Sequence, residues 1–138
     1  PTLIKHQGPI QLGPRVVRPE VSAASRAMLR AVVSEGTASF GDVRGYKVGG
    51  KTGTADKPRE NGKGYYDDKV ITTFASVFPV DEPKYVLIVT MDEAVETSGH
   101  KPRRTAGWTA VPVAAEVIRR VAPILGIRPD IETLALGQ

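Results

Sequence analysis

The chain has 138 residues, of which 41% are apolar and 25% are charged, and its net charge is +4. This balance is typical of a globular domain rather than a disordered chain, and no apolar run approaches the ~20 residues that cross a bilayer. The absence of cysteine excludes disulfides and thiolate metal sites, and the scattered Lys and Arg residues do not favour a nucleic-acid partner.

The first predicted elements are an irregular segment and a helix. Proline and glycine recur through residues 1–18, which predicts an irregular N-terminal segment. Apolar residues then recur at three- and four-residue steps, after Pro19 and before Gly36. Proline in a first turn and glycine just past a last turn are typical of helix ends, so we predict a helix from about 19 to 35. Its apolar stripe consists of Val21, Ala24, Met28 and Val32.

Three strands are predicted next. Tyr46 to Ala55 predicts a strand despite its glycines, and the polar residues 56–68 predict a loop. Two runs rich in β-branched and aromatic residues, Val70–Phe78 and Lys84–Met91, are joined by a short polar turn. Such a pair predicts an antiparallel hairpin.

A second helix follows the polar, loop-like residues 93–107. Apolar residues spaced from Val111 to Leu125 mark one helix face, with Gly126 after its end. Pro123 lies inside this pattern, so we expect a kink or an early end there. Trp108, just before the helix, is interpreted as a core anchor.

The predicted order of helix, three strands and helix places the chain in the α/β class of the α+β type, with an antiparallel sheet covered by helices. Three strands make a thin sheet for this many apolar residues, so we expect the sheet to continue in chain outside this sequence. Residues 131–138 are predicted to be an extended tail.

The sharpest local signal is the glycine-lysine segment around residue 50. Gly45, four residues and then Gly50-Lys51-Thr52 match the pattern of a phosphate-binding loop. In such a loop a helix begins at the lysine and its N-terminus binds the phosphate. Here Gly53 and Pro58 follow within two turns and disfavour a helix. Nucleotide binding therefore stays as the less favoured alternative.

The same segment contains Lys51-Thr52-Gly53-Thr54, the Lys-Thr-Gly motif of penicillin-recognising serine enzymes. From Pro19 to Asp130 the sequence resembles the C-terminal part of the transpeptidase domain of class B penicillin-binding proteins, especially the division-specific peptidoglycan D,D-transpeptidase. The matching segments are Met28 to Val33 with Gly36-Thr37-Ala38, Gly45 to Ala55, Gly64-Tyr65, Thr73 to Pro79, Val89 to Glu93 and Gly107 to Val113.

The resemblance implies the fold shared by penicillin-binding transpeptidases and serine β-lactamases. It also implies an enzyme that acylates a serine with the D-alanyl-D-alanine end of a peptidoglycan stem peptide and transfers the acyl group to a neighbouring amine, and that β-lactams trap. The implied location is the periplasmic face of the bacterial inner membrane, with an anchor outside this chain. Other cell-division membrane proteins are implied partners, and no cofactor is expected. A serine β-lactamase or β-lactam sensor on the same fold, and a non-catalytic interaction module, stay open as alternatives.

The resemblance further implies roles for the motif residues. Lys51 would lie beside the nucleophile and its proton shuttle, and Thr52 and Thr54 would bind the donor carboxylate or the matching group of a β-lactam. Gly53 would permit close backbone approach, and the Thr54 backbone N–H would supply half of an oxyanion hole. Tyr65 and Tyr66 are candidates for the cleft wall, although tyrosines in loops are more often packing or surface residues.

The nucleophilic serine is not expected in this chain. Ser98-Gly99-His100-Lys101 matches Ser-x-x-Lys but lies in a polar loop with no helix to hold a base near the serine, so we interpret it as solvated loop. The Ser-x-Asn motif is missing, because Asn61 is the only asparagine and Arg59 stands two residues before it. We therefore expect the chain alone to be inactive and to depend on the remainder of its own domain.

Two further groups of residues are weighed and set aside. His6 and His100 have no second ligand at metal spacing, so no metal site is predicted. Asp92 and Glu93, at the end of the last strand, are expected to bind loop amides or arginines rather than to act as an acid-base pair.

Overall fold

The structure, a computed structural model, describes residues 8–9 and 13–130. Its elements are α1 (Pro19–Ser34), a short 3₁₀ turn (Ser39–Gly41), β1 (Gly49–Pro58), β2 (Tyr65–Phe78), β3 (Tyr85–Asp92) and α2 (Ala110–Ile124). The predicted segment 1–18 is described only in part, and the predicted tail at 131–138 lies outside the described residues. Neither described helix is long and apolar enough to cross a membrane.

The three strands form one antiparallel sheet in the order β1-β2-β3, which confirms the predicted fold class. β2 and β3 form the predicted hairpin, in which Val77 pairs with Val86 and Ile71 with Asp92. β1 lies at one edge of the sheet. Its outer N–H and C=O groups therefore face away from the other two strands.

The β1–β2 connection is shorter than the sequence predicts. β1 begins at Gly49 rather than Tyr46, and residues 56–58 and 65–68 of the predicted loop belong to strands. Asp56 pairs with Val70, and after a register shift Pro58 pairs with Tyr65. The loop prediction is wrong there because a two-stranded ribbon gains its backbone hydrogen bonds without burying apolar side chains, so its composition resembles that of a loop. The remaining turn, 59–64, holds Gly62 and Gly64 at φ of +72° and +73°.

The two faces of the sheet differ in what covers them. On one face alternate residues of β2 are buried beneath α2, in a core that includes Phe74, Phe78, Val111, Ala114 and Ile118. On the other face Val86 and Ile88 of β3 are 71% and 62% exposed. The sheet therefore has one packed face and one open apolar face along β3.

Helix α1 has the predicted bounds but not the expected packing. Val33 is its one fully buried residue, whereas Met28 of the predicted apolar stripe is 64% exposed. The helix meets β1 through its backbone near Arg30, where a Cβ added to Gly49 would lie 3.3 Å from the Arg30 nitrogen. Val21 and Met28 are both exposed, so this side of α1 does not pack on the described core.

Helix α2 ends close to where proline and glycine predict. Pro123 lies in its last turn, and the helix stops at Ile124. Gly126 then adopts a φ of +73°, and the N–H of Ile127 donates to the carbonyl of Ala122 at 3.0 Å. A glycine in this conformation is the usual helix terminator, so the chain turns back here as expected.

Candidate functional site

A hollow of about 370 Å³ opens beside β1, and four of the seven residues that line it are threonines. Thr52 and Thr54 face the same side of the strand, because side chains alternate with a period of two. The connector after α1 and the loop before α2 close the hollow. Its lining residues are Thr37, Thr52, Thr54, Thr105, Ala106, Gly107 and Trp108.

Each strand threonine of the hollow has a hydrogen-bond partner distant in sequence. Thr37 Oγ1 lies 3.0 Å from Thr52 Oγ1. The backbone N–H of Ala106 donates to Thr54 Oγ1 at 3.1 Å. Because a hydroxyl has one proton and two acceptor positions, Thr54 keeps its proton to donate to another group. The hollow therefore offers hydroxyl donors that suit an acceptor such as a carboxylate.

The loop over the hollow is held down by buried contacts. Thr109 Oγ1 donates to Thr72 Oγ1 at 3.0 Å, and both residues are buried. Ala106 is 1% exposed, and a Cβ added to Gly107 would lie 2.6 Å from the carbonyl oxygen of Thr37. Glycine is thus the residue that lets this loop close on the connector after α1. Sequence analysis missed Thr37 and Ala106 as site residues because they lie 15 and 52 positions from the threonines they contact.

Trp108 forms the rim of the hollow rather than a core anchor. Trp108 is 37% exposed. Its ring centroid lies 4.9 Å from that of Phe40 and 3.7 Å from the Arg103 guanidinium carbon. The core-anchor prediction is wrong because the small residues Ala106 and Ala110 occupy the buried positions on either side of it.

The loop that carries Ser98 is closed by a two-residue bridge between Glu96 and Arg103. Ser98 is exposed, and its backbone N–H donates to Glu96 Oε1 at 2.6 Å. The hydrogen bonds from Ser98, more than the nearby Arg103 charge, lower the pKa of Glu96. Ser98 thus contacts a carboxylate, and we retain the interpretation of 98–101 as solvated loop.

Lys51 and Gly53 lie on the opposite side of β1 from Thr52 and Thr54. Lys51 is exposed, and its Nζ donates to the Thr52 carbonyl at 2.7 Å. A Cβ added to Gly53 would meet no heavy atom closer than 3.9 Å, that of Thr73 O. The structure therefore brings the two predicted threonines to one hollow and places the lysine on the other side of the strand.

Tyr65 and Tyr66 lie toward the far end of the β1–β2 ribbon, outside the lining of the hollow. Tyr65 is 61% exposed. The Tyr66 ring contacts two cations, with Lys69 Nζ 4.8 Å and the Arg59 guanidinium carbon 5.9 Å from its centroid. Neither tyrosine therefore lines the hollow beside Thr52 and Thr54.

Asp92 and Glu93 bind lysines, so the prediction that they would bind loop amides or arginines is wrong. Lys57 Nζ lies 2.8 Å from Asp92 Oδ2 and 2.7 Å from Glu93 Oε1, and Lys69 Nζ lies 3.2 Å from Glu93 Oε2. The Asp92 hydrogen bond, followed by that of Glu93, raises the pKa of Lys57. The sequence did not indicate these lysines because β1 and β2 extend past residue 56 as a paired ribbon, which places Lys57 and Lys69 beside the end of β3.

The phosphate-loop alternative is inconsistent with the structure. β1 runs as a strand from Gly49 to Pro58, so no helix begins at Lys51 and no helix N-terminus points at a phosphate there. Within residues 8–9 and 13–130 no cluster of three or more metal-ligating side chains occurs. His6 lies outside these ranges.

Comparison with known proteins gives a consistent set of relatives. The family described as "Penicillin binding protein transpeptidase domain" matches residues 1–118. The chain is 34% identical to the probable peptidoglycan D,D-transpeptidase FtsI of Caulobacter vibrioides, over 91% of this chain and 22% of the relative. It is 36% identical to stage V sporulation protein D of Bacillus subtilis, over 91% of this chain and 18% of the relative.

Solved structures agree with the sequence relatives. The transpeptidase domain of Burkholderia pseudomallei penicillin-binding protein 3 aligns with a TM-score of 0.75 at 33% identity, over 92% of this chain and 37% of that domain. Penicillin-binding protein 3 of Mycobacterium tuberculosis, solved with ampicillin, aligns with a TM-score of 0.70 at 29% identity. The alignment covers 84% of this chain and 26% of that protein. The chain spans about a fifth of the length of the curated relatives it matches.

Proposed function

The chain belongs to the penicillin-binding protein transpeptidase domain family, and from that premise we propose that it forms one wall of a peptidoglycan D,D-transpeptidase active site. The observation that carries the proposal is the hollow beside β1. There Thr52 and Thr54 are aligned on one side of an edge strand. The Ala106 N–H donates to Thr54 and leaves the Thr54 proton available, and in the Thr37–Thr52 pair either hydroxyl can donate. A terminal carboxylate is the acceptor that the donor stem peptide offers.

The reaction we propose has two steps. A serine outside this chain attacks the carbonyl carbon of the penultimate D-alanine, the peptide bond breaks, and the terminal D-alanine leaves with a proton on its nitrogen. An amine of a neighbouring stem peptide then attacks the carbonyl carbon of the acyl-serine, the ester C–O bond breaks, and a proton from the amine restores the serine hydroxyl as the cross-link forms. A β-lactam enters at the first step, and ring opening leaves the serine acylated.

Four features of this chain contribute to that chemistry. The Thr52 and Thr54 hydroxyls bind the carboxylate of the donor or the β-lactam. The Thr54 backbone N–H donates to the developing oxyanion. We place the serine at the outer edge of β1, which both sides of the strand border, so that Lys51, exposed on the side opposite the threonines, supplies a positive charge near it. Gly53 leaves the strand open to a ligand, since no described side chain fills the space beside it.

The open apolar face supports the further proposal that the rest of the transpeptidase domain packs on this chain. Val86 and Ile88 expose most of their surface, and the chain matches only 37% of a solved transpeptidase domain. Burying such side chains is worth roughly 1.5–3 kcal/mol each. Because the serine and the proposed packing partner both lie outside this chain, we expect the chain alone to lack transpeptidase activity.

The cellular setting is proposed from the resemblance to division-type transpeptidases. We place the complete protein at the periplasmic face of the inner membrane, anchored by a segment outside this chain and working with other division proteins. A fluorescent fusion should concentrate at the division site. A uniform distribution along the cell would contradict the division role.

Labelling the complete protein with fluorescent penicillin tests the serine mechanism. Ser98→Ala should leave labelling unchanged, because Ser98 is a loop residue whose backbone binds Glu96. Thr54→Val should slow labelling about 10- to 100-fold, the effect of losing a hydrogen bond to a charged group. Label attached at Ser98, or no label at all, would reject the proposal.

The same experiment separates the two related alternatives. A transpeptidase should hold the penicilloyl group for longer than the assay, whereas a β-lactamase on the same fold releases it by hydrolysis. Rapid loss of label from the intact protein would favour the β-lactamase.

A further inference from the structure

We propose that Thr37 is a positioning residue for the carboxylate site: its hydroxyl orients the hydroxyl of Thr52 so that the Thr52 proton points at the ligand. This inference rests on the proposed function, because it concerns the same ligand group. Thr37 lies in the connector after α1, outside the Lys51-to-Thr54 motif.

The donor and acceptor roles within the threonine pair follow from what the hollow holds. The two oxygens are 3.0 Å apart, and either can donate when the hollow contains only water. An anionic ligand is an acceptor only, so Thr52 can bind it only by giving up its own proton. Thr37 must then be the donor of the pair. A hydroxyl that accepts a hydrogen bond is polarised and becomes a better donor itself.

The backbone that carries the Thr37 hydroxyl is held on both sides. The next residue, Ala38, is fully buried, and its N–H donates to the Val32 carbonyl at 3.1 Å. On the other side Gly107 approaches so closely that an added Cβ would lie 2.6 Å from Thr37 O. Thr37 is therefore clamped between the end of α1 and the loop over the hollow.

The same arrangement occurs at the second strand threonine, which strengthens the inference. The Ala106 N–H donates to Thr54 Oγ1 in the same way that Thr37 is proposed to donate to Thr52. Two threonines separated by two positions on a strand are roughly 6.6 Å apart. One carboxylate, with a hydrogen bond of about 2.7 Å to each oxygen, can bridge that span. Two polarised hydroxyls facing two carboxylate oxygens favour the acid over an ester.

The test compares benzylpenicillin with its methyl ester on the complete protein, with the second-order acylation rate constant as the readout. Thr37→Val should lower the rate with benzylpenicillin about three- to tenfold, the effect of one ordinary hydrogen bond, and change the rate with the ester less than about twofold. Thr37→Ser, which restores the hydroxyl, should return the acid rate to within about twofold of the unmodified protein. If Thr37→Val does not fold, Thr37→Ala takes its place, because Thr37 is exposed and the smaller side chain leaves no buried cavity.

The matched control is Thr90→Val. Thr90 forms a threonine pair with Thr73 at 3.1 Å in the same sheet, but on the open face away from the hollow. This variant should leave the acid-to-ester ratio unchanged. A Thr37→Val protein that slows both ligands equally, or neither, would overturn the positioning role.

Thr52→Val distinguishes failure of this inference from failure of the proposed function. If Thr52→Val lowers the acid-to-ester ratio and Thr37→Val does not, only the role of Thr37 is rejected. If neither variant nor Thr54→Val changes the ratio, the carboxylate site itself is rejected.

Discussion

Glu93 lies in the left-handed region of the backbone, with a φ of 55°, where residues other than glycine are uncommon. Its N–H donates to the Val70 carbonyl at 3.0 Å, and its carboxylate binds Lys57 and Lys69. The Lys57 hydrogen bond, followed by that of Lys69, lowers the pKa of Glu93. These contacts join the end of β3 to both strands of the ribbon and hold a conformation that the backbone alone disfavours.

Replacing Glu93 by Gln should lower the melting temperature of the complete protein by about 1–3 °C at neutral pH, since exposed ion pairs contribute little. The pKa of Glu93 is lower in the folded than in the unfolded chain. Its contribution is therefore complete above the unfolded value of about 4.3 and is lost as the pH falls through the folded pKa. Thermal melts from about pH 7 down to about pH 3 should show the two proteins converging in acid. Glu60→Gln, in the exposed turn 59–64, is the control, and a difference that persists undiminished in acid would contradict the ion-pair explanation.

At the scale of elements, the glycines of β1 have different reasons to be glycine. A Cβ at Gly50 would lie 2.6 Å from the Phe74 ring and 2.7 Å from the Ala75 carbonyl oxygen. Gly53, three positions along the strand, has no such neighbour. Gly50 therefore lets β1 lie close to the buried ring, whereas Gly53 leaves space on the open side of the strand.

These surroundings predict opposite outcomes for two similar substitutions. Gly50→Ala should destabilise the complete domain by about 1–3 kcal/mol, because the ring and the strand must both shift. Gly53→Ala should leave the free energy of unfolding within about 0.5 kcal/mol but slow acylation by penicillin, if a ligand lies along the strand as proposed. Urea unfolding measures the first effect and fluorescent labelling the second. Equal loss of stability in the two variants would contradict the packing account.

The elements also show how far local sequence signals reach. Proline and glycine predicted the ends of α1 and α2 because helix termination depends on a few neighbouring residues. The ribbon past residue 56 was missed because strand pairing there depends on a partner rather than on composition. The motif threonines could be placed on one strand, but Thr37 and Ala106 could not be placed beside them, since that contact depends on how separate elements pack. For the same reason the sequence predicted an apolar stripe on α1 but not which side of it would be buried.

At the scale of the whole molecule, the sheet has one face that is covered by packed side chains and one face that is exposed. α2 and the core under Phe74 cover the first, whereas Val86, Ile88 and the stripe around Met28 on α1 remain largely exposed. Val86 and Ile88 alternate along β3 and so share one face of the sheet. Monomeric proteins rarely leave contiguous apolar patches uncovered, which favours a packing partner on this face. The rest of the transpeptidase domain is the partner we propose.

Ile88→Lys tests that partner in the complete domain. If the open face is buried there, the charged side chain should lower the stability of the complete domain by at least about 2 kcal/mol, and penicillin labelling should fall with the folded fraction. Ile88→Val, which keeps the face apolar, should cost no more than about 1.5 kcal/mol. A lysine variant as stable as the unmodified domain would mean that Ile88 stays exposed and that the partner lies elsewhere.

Gly107 makes the placement of both strand threonines depend on a residue outside the Lys51-to-Thr54 motif. Its lack of a side chain lets the loop before α2 close on Thr37, and the neighbouring Ala106 amide orients Thr54. A single substitution at Gly107 would therefore loosen both threonines at once and leave the sequence from Lys51 to Thr54 unchanged. If the complete protein is the β-lactam target proposed above, a Gly107 variant should be acylated more slowly although its Lys-Thr-Gly motif is intact.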